Sequence, residues 1–377
     1  MRMSKFNEDW NTEKEGITMV NKVLMDFLCR ETEWEELGNE KLLHQLPEFG
    51  QEVGAAINEG RLIEFTGELS SLLEKMDLYK ASLLSTFIGF ACEKEEDTSA
   101  GEGIVKLFSR SCKQVYEMFQ SLGEDGECGL PEDMSEIYRI NGDWARAYFG
   151  FNILCVSVMA FLTRDVSLRK IMEEPEIAEQ VEYLTEETPE SPYLKSVYYV
   201  DLMRNTCGKR KLLVLYPAKK SGFLAEANDM NNCFHLLFLL EEQIHQKLGE
   251  KYGMHEFRAA KSLIRLAYGE FPDDCWNNSY SMQFMECNYG AAGHNTLEQD
   301  DTMRLIWGEM PPEAIPEIDG RGVIILFETG INRSFSANFL AVPHPALKPS
   351  VEIERELTEA EYDAWVRKIE ENLPQAE

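Results

Sequence analysis

His235, Glu242 and His245 are the first side chains whose types and spacing could hold a metal ion. Glu242-Gln243-Ile244-His245 has the Glu-x-x-His spacing that di-iron helical bundles use. On a helix at about 100° per residue, Leu237, Leu240, Ile244 and Leu248 share one face, which must be the core. His235 and Glu242 then point the other way, onto a solvated face, with His245 partly buried. A di-iron site needs a second Glu-x-x-His, and the sequence has none. His255-Glu256 lacks the second histidine that a zinc protease helix requires. Asp300-Asp301 is not followed by the alternating oxygen ligands of a calcium loop. The sequence has no Gly-x-Ser-x-Gly elbow, no Gly-rich phosphate loop, and no cysteine in a protease signature. His44, His294 and His344 complete the histidines without marking a catalytic set. No catalytic residue, metal or cofactor is expected from these patterns.

One segment is distinctive. Trp307-Gly308-Glu309, then Pro312, Ile315 and Pro316, leads into the apolar run Gly322–Phe327. Arg333-Ser334 and the Pro343-His344-Pro345 turn follow. Trp307, Glu309, Arg333 and His344 are the candidate rim of a pocket or interface at strand ends, where α/β proteins often place ligands. The competing reading makes Trp307 a buried packing anchor, and the usual burial of tryptophan favours it. A helix of the type Asn231-Asn232…His235-Leu236-Leu237-Phe238-Leu239-Leu240 precedes this segment. The combination, over roughly residues 205–370, resembles a bacterial protein family of unknown function. The resemblance implies one fold unit and no chemistry.

The elements that must position these residues change character along the chain. Helical spacing appears in Ile17, Val20, Leu24, Phe27 and Leu28, again from Leu62 to Met76, and again in Ile104, Leu107, Val115 and Phe119. About six antiparallel helices are expected, with a start at Pro131-Glu132-Asp133 and a break near Asn141-Gly142. The stretch from Glu173 to Glu190 contains eight glutamates, and no base lies between Lys170 and Lys195. Like charges at that density resist compaction, so a boundary is expected near residue 190. Beyond it Val197–Val200, Leu212–Tyr216, Phe223–Ala227, Ser279–Cys287, Gly322–Phe327 and Val351–Leu357 read as strands, and Asn231–Leu248 as a helix. Thr358 with Glu361 forms a capping box for a last helix. The expected fold is α+β: an acidic helical domain over 1–190, then a mixed α/β domain with a central sheet over 191–377.

Charge bounds the partners. The net charge is −30, with 39 acids against 19 bases in the first 200 residues. Nucleic acid and anionic membrane call for the opposite sign. A basic protein partner would be attracted and its encounter accelerated. The longest apolar stretch, Phe149–Leu162, is 14 residues against the roughly 20 of a membrane span, and reads as a core helix. Nine widely spaced cysteines without a Cys-x-x-Cys pair, and no secretory leader, fit a reduced, cytoplasmic protein. These features point to a non-enzymatic interaction module, an inhibitor or immunity-type partner of a basic protein. The alternatives are an enzyme with a pocket in the C-terminal domain, and a scaffold that self-associates through its helical half.

Overall fold

A computed structural model describes residues 21–122, 130–131, 133–186, 191–254, 259–289, 305–328 and 333–372. His255-Glu256, His294, Asp300-Asp301, Cys128, Ile17 and Val20 lie outside them. The fold is α+β, with helices leading and a mixed sheet following. The chain divides into two compact units. The first is Met1–Phe161 with Pro175–Val197, and the second is Leu162–Glu174 with Tyr198–Glu377. The short segment 162–174, which the acidic boundary near 190 had placed with the helices, therefore groups with the sheet.

The helical unit contains α1 (Lys22–Cys29), α2 (Pro47–Asn58), α3 (Leu62–Leu72), α4 (Leu78–Glu95), α5 (Gly101–Leu122), α6 (Ser135–Ile140) and α7 (Gly142–Leu162, its last residue apart). The break between α6 and α7 falls at Asn141, where the sequence places it. The stretch read as starting at Pro131 yields α6 only from Ser135, whose N–H is held by the Asp133 side chain. α7 is long and apolar enough to cross a membrane, yet 72% of its most apolar window is buried within the protein. Small residues let it approach α4 closely. A Cβ on Gly150 would lie 2.7 Å from Ser82 Oγ, and one on Gly89 3.3 Å from Ser157 Cα. Asp77 caps α4 by accepting from the Tyr79 and Lys80 N–H groups, and it also takes Thr32 Oγ1 at 2.5 Å and Arg146 Nε at 3.2 Å.

After α8 (Val166–Met172) and α9 (Pro175–Glu186), residues 197–200 form not a strand but the start of α10 (Val197–Arg204). Leu194, Val197, Val200 and Met203 are all buried, and their three-residue spacing is helical despite the β-branched types. The sheet is built from β1 (Arg210–Tyr216), β2 (Ser221–Asn228), β4 (Phe284–Cys287), β5 (Glu317–Ile318), β6 (Arg321–Glu328) and β8 (Ser350–Glu356). Its order is β4-β6-β1-β2-β8, with β5 beside β6, and only β1 and β6 run parallel. The edge strand β8 exposes Glu352, Glu354 and Glu356, charges that discourage edge pairing.

The stretch 279–287 splits. β3 (Ser279–Ser281) pairs with β7 (Ser334–Ser336) in a separate ribbon, and β4 joins the main sheet. Leu212, Val214, Phe223, Ile324 and Leu326 pack one sheet face under α11 (Cys233–Tyr252) and α12 (Lys261–Ala267). Leu213, Leu215, Val323 and Ile325 pack the other under α13 (Glu359–Glu371). The Thr358–Glu361 capping box starts α13. In the second unit the sheet thus lies between α13 on one face and α11 on the other.

Candidate functional site

α11 lies between the sheet and a second cover made of α12, the β3–β7 ribbon and the turn Ala337–Leu340. No solvated face remains where the sequence placed His235 and Glu242: both are buried. The Glu242 carboxylate accepts from Tyr268 Oη at 3.0 Å and from the side chains of Gln243 and Gln246. His245, half-buried as read, hydrogen-bonds to the Met254 carbonyl at 3.2 Å. Among the described residues no group of three His, Cys, Asp or Glu side chains is placed to hold a metal.

The sequence pattern did not single out Glu241, yet it is the hub of this layer. It is fully buried on α11. Its two oxygens accept the backbone N–H groups of Gln283 at 2.7 and 2.9 Å and of Phe284 at 2.7 Å, together with the Tyr280 hydroxyl. Those bonds claim the backbone at residues 283–284, where β3 ends and β4 begins. Alternation along β4 turns Phe284 and Glu286 to the same side, and Glu286 meets Glu241, carboxyl to carboxyl. Arg333 donates to Glu286 Oε2 at 2.7 Å and to the Ile306 carbonyl at 2.7 Å.

Desolvation raises the pKa of both carboxyls, and the Glu241 charge pushes Glu286 further, well above the usual carboxylate range. Glu286 Oε1 meets no donor of its own. A proton on Glu286 donated to Glu241 resolves both facts. The cluster is then one anion, one neutral acid and one guanidinium, balanced in charge inside the core.

This clasp fixes the Trp307 segment. The Ile306 N–H donates to the Glu286 carbonyl at 2.9 Å while Arg333 holds the Ile306 carbonyl. Further along, the Phe234 N–H donates to the Gly308 carbonyl at 2.8 Å and the Cys233 N–H to the Met310 carbonyl at 2.9 Å. Residues 306, 308 and 310 are thus tied inward through their backbones. Residues 307 and 309 face out: Trp307 is 63% exposed and Glu309 is exposed. Trp307 is therefore not the core anchor its residue type suggested. The packing role belongs to Gly308, over which the Phe234 ring lies. A Cβ there would stand 2.3 Å from Phe234 Cδ2, and the ring is held at 4.7 Å from both Phe335 and Phe339. Gly308→Ala is expected to cost about 1–3 kcal/mol by overpacking, measured as a drop in denaturant midpoint. An unchanged midpoint would show that Phe234 has room to move.

The four candidate rim residues do not share one role. Arg333 belongs to the buried clasp and holds the backbone next to Trp307. Trp307 and Glu309 flank a surface turn, closed by the Met310 N–H to the Trp307 carbonyl at 3.3 Å. The His344 ring serves its own turn, its Nδ1 accepting from the Ala346 N–H at 3.1 Å. None of the four lines the cavity of about 360 Å³ at the N-terminal ends of β1 and β6, where Arg169, Lys170, Arg210, Lys211, Glu313 and Glu317 converge. Its two buried arginines already carry partners, although Arg210 Nε has none. Arg169 binds the carbonyls of Leu162 and Thr206 and the Asp229 carboxylate, and Arg210 binds Glu317 and the Ile315 carbonyl.

In the helical unit the notable surface is α9. Ile177, Gln180, Val181 and Leu184 are buried, and α9 packs against α5. Glu176, Glu179, Glu182 and Glu186 form the exposed face. Lys113 pairs with Glu176 at 3.2 Å, while Glu179 and Glu186 have no ion-pair partner among the described residues. The unit's own cations are largely spent elsewhere. Arg146 binds Asp77, Asp143 and Glu31; Arg110 binds the carbonyls of Leu73, Glu74 and Met76; Lys80 is buried against the Arg30 carbonyl. No family model, no curated protein and no solved structure matches this chain.

Proposed function

We propose that this protein is a non-enzymatic interaction module that captures a basic protein, as an inhibitor or immunity-type partner would. One observation carries the reading: on the exposed face of α9, Glu179 and Glu186 have no ion-pair partner among the described residues, while many of the unit's cations bind its own carbonyls and carboxylates. Exposed acidic faces speed encounter with a cationic surface and repel polyanions. The net charge of −30 acts in the same direction.

The test is retrieval of partners by the immobilised chain from lysate at low and high salt, repeated with Glu179→Gln/Glu182→Gln/Glu186→Gln. A basic protein retained at low salt, released at high salt and lost from the triple variant is expected. Retention of no protein at any salt, or an equal yield from the triple variant, sinks the reading.

A further inference from the structure

The geometry points to the Trp307–Glu309 turn as the anchor for a guanidinium or ammonium side chain of a cationic protein partner, the indole face taking the cation beside the Glu309 carboxylate. This site rests on the reading of a basic partner and places a specific contact in the second unit, apart from the α9 surface.

Tryptophan at 63% exposure is unusual for a residue that ordinarily packs inside. Nothing in the local backbone is loose enough to explain it. Ile306 is gripped on its N–H by the Glu286 carbonyl and on its carbonyl by Arg333, and the Gly308 and Met310 carbonyls are tied to the first residues of α11. The backbone that carries the ring is anchored on both sides. Large aromatic side chains displayed on a fixed support are the residues that dominate protein interfaces, because little conformational freedom is left to lose on binding. A hydrophobic partner alone would not use the flanking charge. Glu309 supplies a carboxylate two residues away, and no described residue forms an ion pair with it. An exposed indole and, two residues on, an exposed anion with no ion-pair partner among the described residues suit a cation over the ring face. Among the standard side chains, arginine fits best, since its planar group both stacks and donates to a carboxylate.

The experiment uses the full chain with ¹⁵N-labelled tryptophan side chains, titrated with an octa-arginine peptide at 150 mM salt. Trp307→Phe assigns the Trp307 indole signal. That signal is expected to shift and saturate with the binding curve. Trp307→Ala is expected to weaken the peptide about fivefold, and Glu309→Gln to weaken it less, with thermal stability retained because both side chains lie at the surface. A Trp307 signal that stays in place, or an unchanged affinity in Trp307→Ala, overturns the site. A shift that follows protein concentration without peptide also overturns it, since a second copy of the chain would then be the occupant. The α9 triple variant separates the two ideas. If it loses affinity while Trp307→Ala does not, the basic-partner reading survives and this anchor falls. If neither loses affinity, both fall.

Discussion

Arg333→Met is expected to destabilise the protein by about 3–5 kcal/mol, because it strands a buried anion that no other described cation compensates. Among the described residues the guanidinium is the one positive group on the Glu241–Glu286 pair, and it also satisfies the Ile306 carbonyl. Glu286→Gln should behave differently. An amide can donate to Glu241 where the protonated acid does now, and accept from Arg333 through its oxygen. Its cost is expected to stay within about 1 kcal/mol.

The two variants also differ in their response to pH. Burial and the Glu241 charge make the folded protein hold the Glu286 proton to higher pH, whereas the unfolded chain ionises it above about pH 4.3. The folded state therefore binds more protons, and stability falls as pH rises, by at most about 1.4 kcal/mol per pH unit from this group. Glu286→Gln removes that fall. Chemical denaturation at several pH values from 5 to 9 measures both slopes. If Glu286→Gln is as damaging as Arg333→Met, the proton has been placed on the wrong carboxyl.

His235 controls the acid side. Its Nε2 lies 2.7 Å from the Ala267 carbonyl, which can only accept, so Nε2 carries the hydrogen. Nδ1 is then a bare lone pair with no partner in a fully buried ring. Protonating it would bury a cation without an acceptor, and desolvation lowers the pKa to about 4. The unfolded chain takes up that proton near pH 6.5. Stability from this group is present above pH 6.5 and is lost as pH falls through 4, by up to about 3 kcal/mol. His235→Gln, which does not titrate there, is expected to flatten the stability profile between pH 6.5 and 4. An identical acid profile in that variant would show that water or another group reaches Nδ1.

Much of the second unit was legible in the sequence. The run Gly-Val-Ile-Ile-Leu-Phe reads as a strand, and it is β6, buried on both faces inside the sheet. Thr358 and Glu361 form both halves of their capping box. Local reading failed where distant parts of the chain set the environment. A one-faced helix was the natural reading of 231–248, but α11 is covered on two sides. Five consecutive apolar residues, Leu236 to Leu240, were the signal that it is wrapped all round. Two acids following directly on such a run were the clue to a buried carboxylate. Trp307 was misplaced because a single sequence does not show that Phe234 occupies the space above Gly308.

The division of the chain carries a consequence for biosynthesis. Residues 162–174 leave the ribosome before 175–197, yet they belong with the sheet while the later stretch completes the helical unit. α8 must wait. Its Arg169 finds acceptors at Thr206, Cys207 and Asp229, all translated later. No single cleavage of the polypeptide releases both units whole, and a gene fusion made at the acidic stretch would leave α8 attached to the wrong partner.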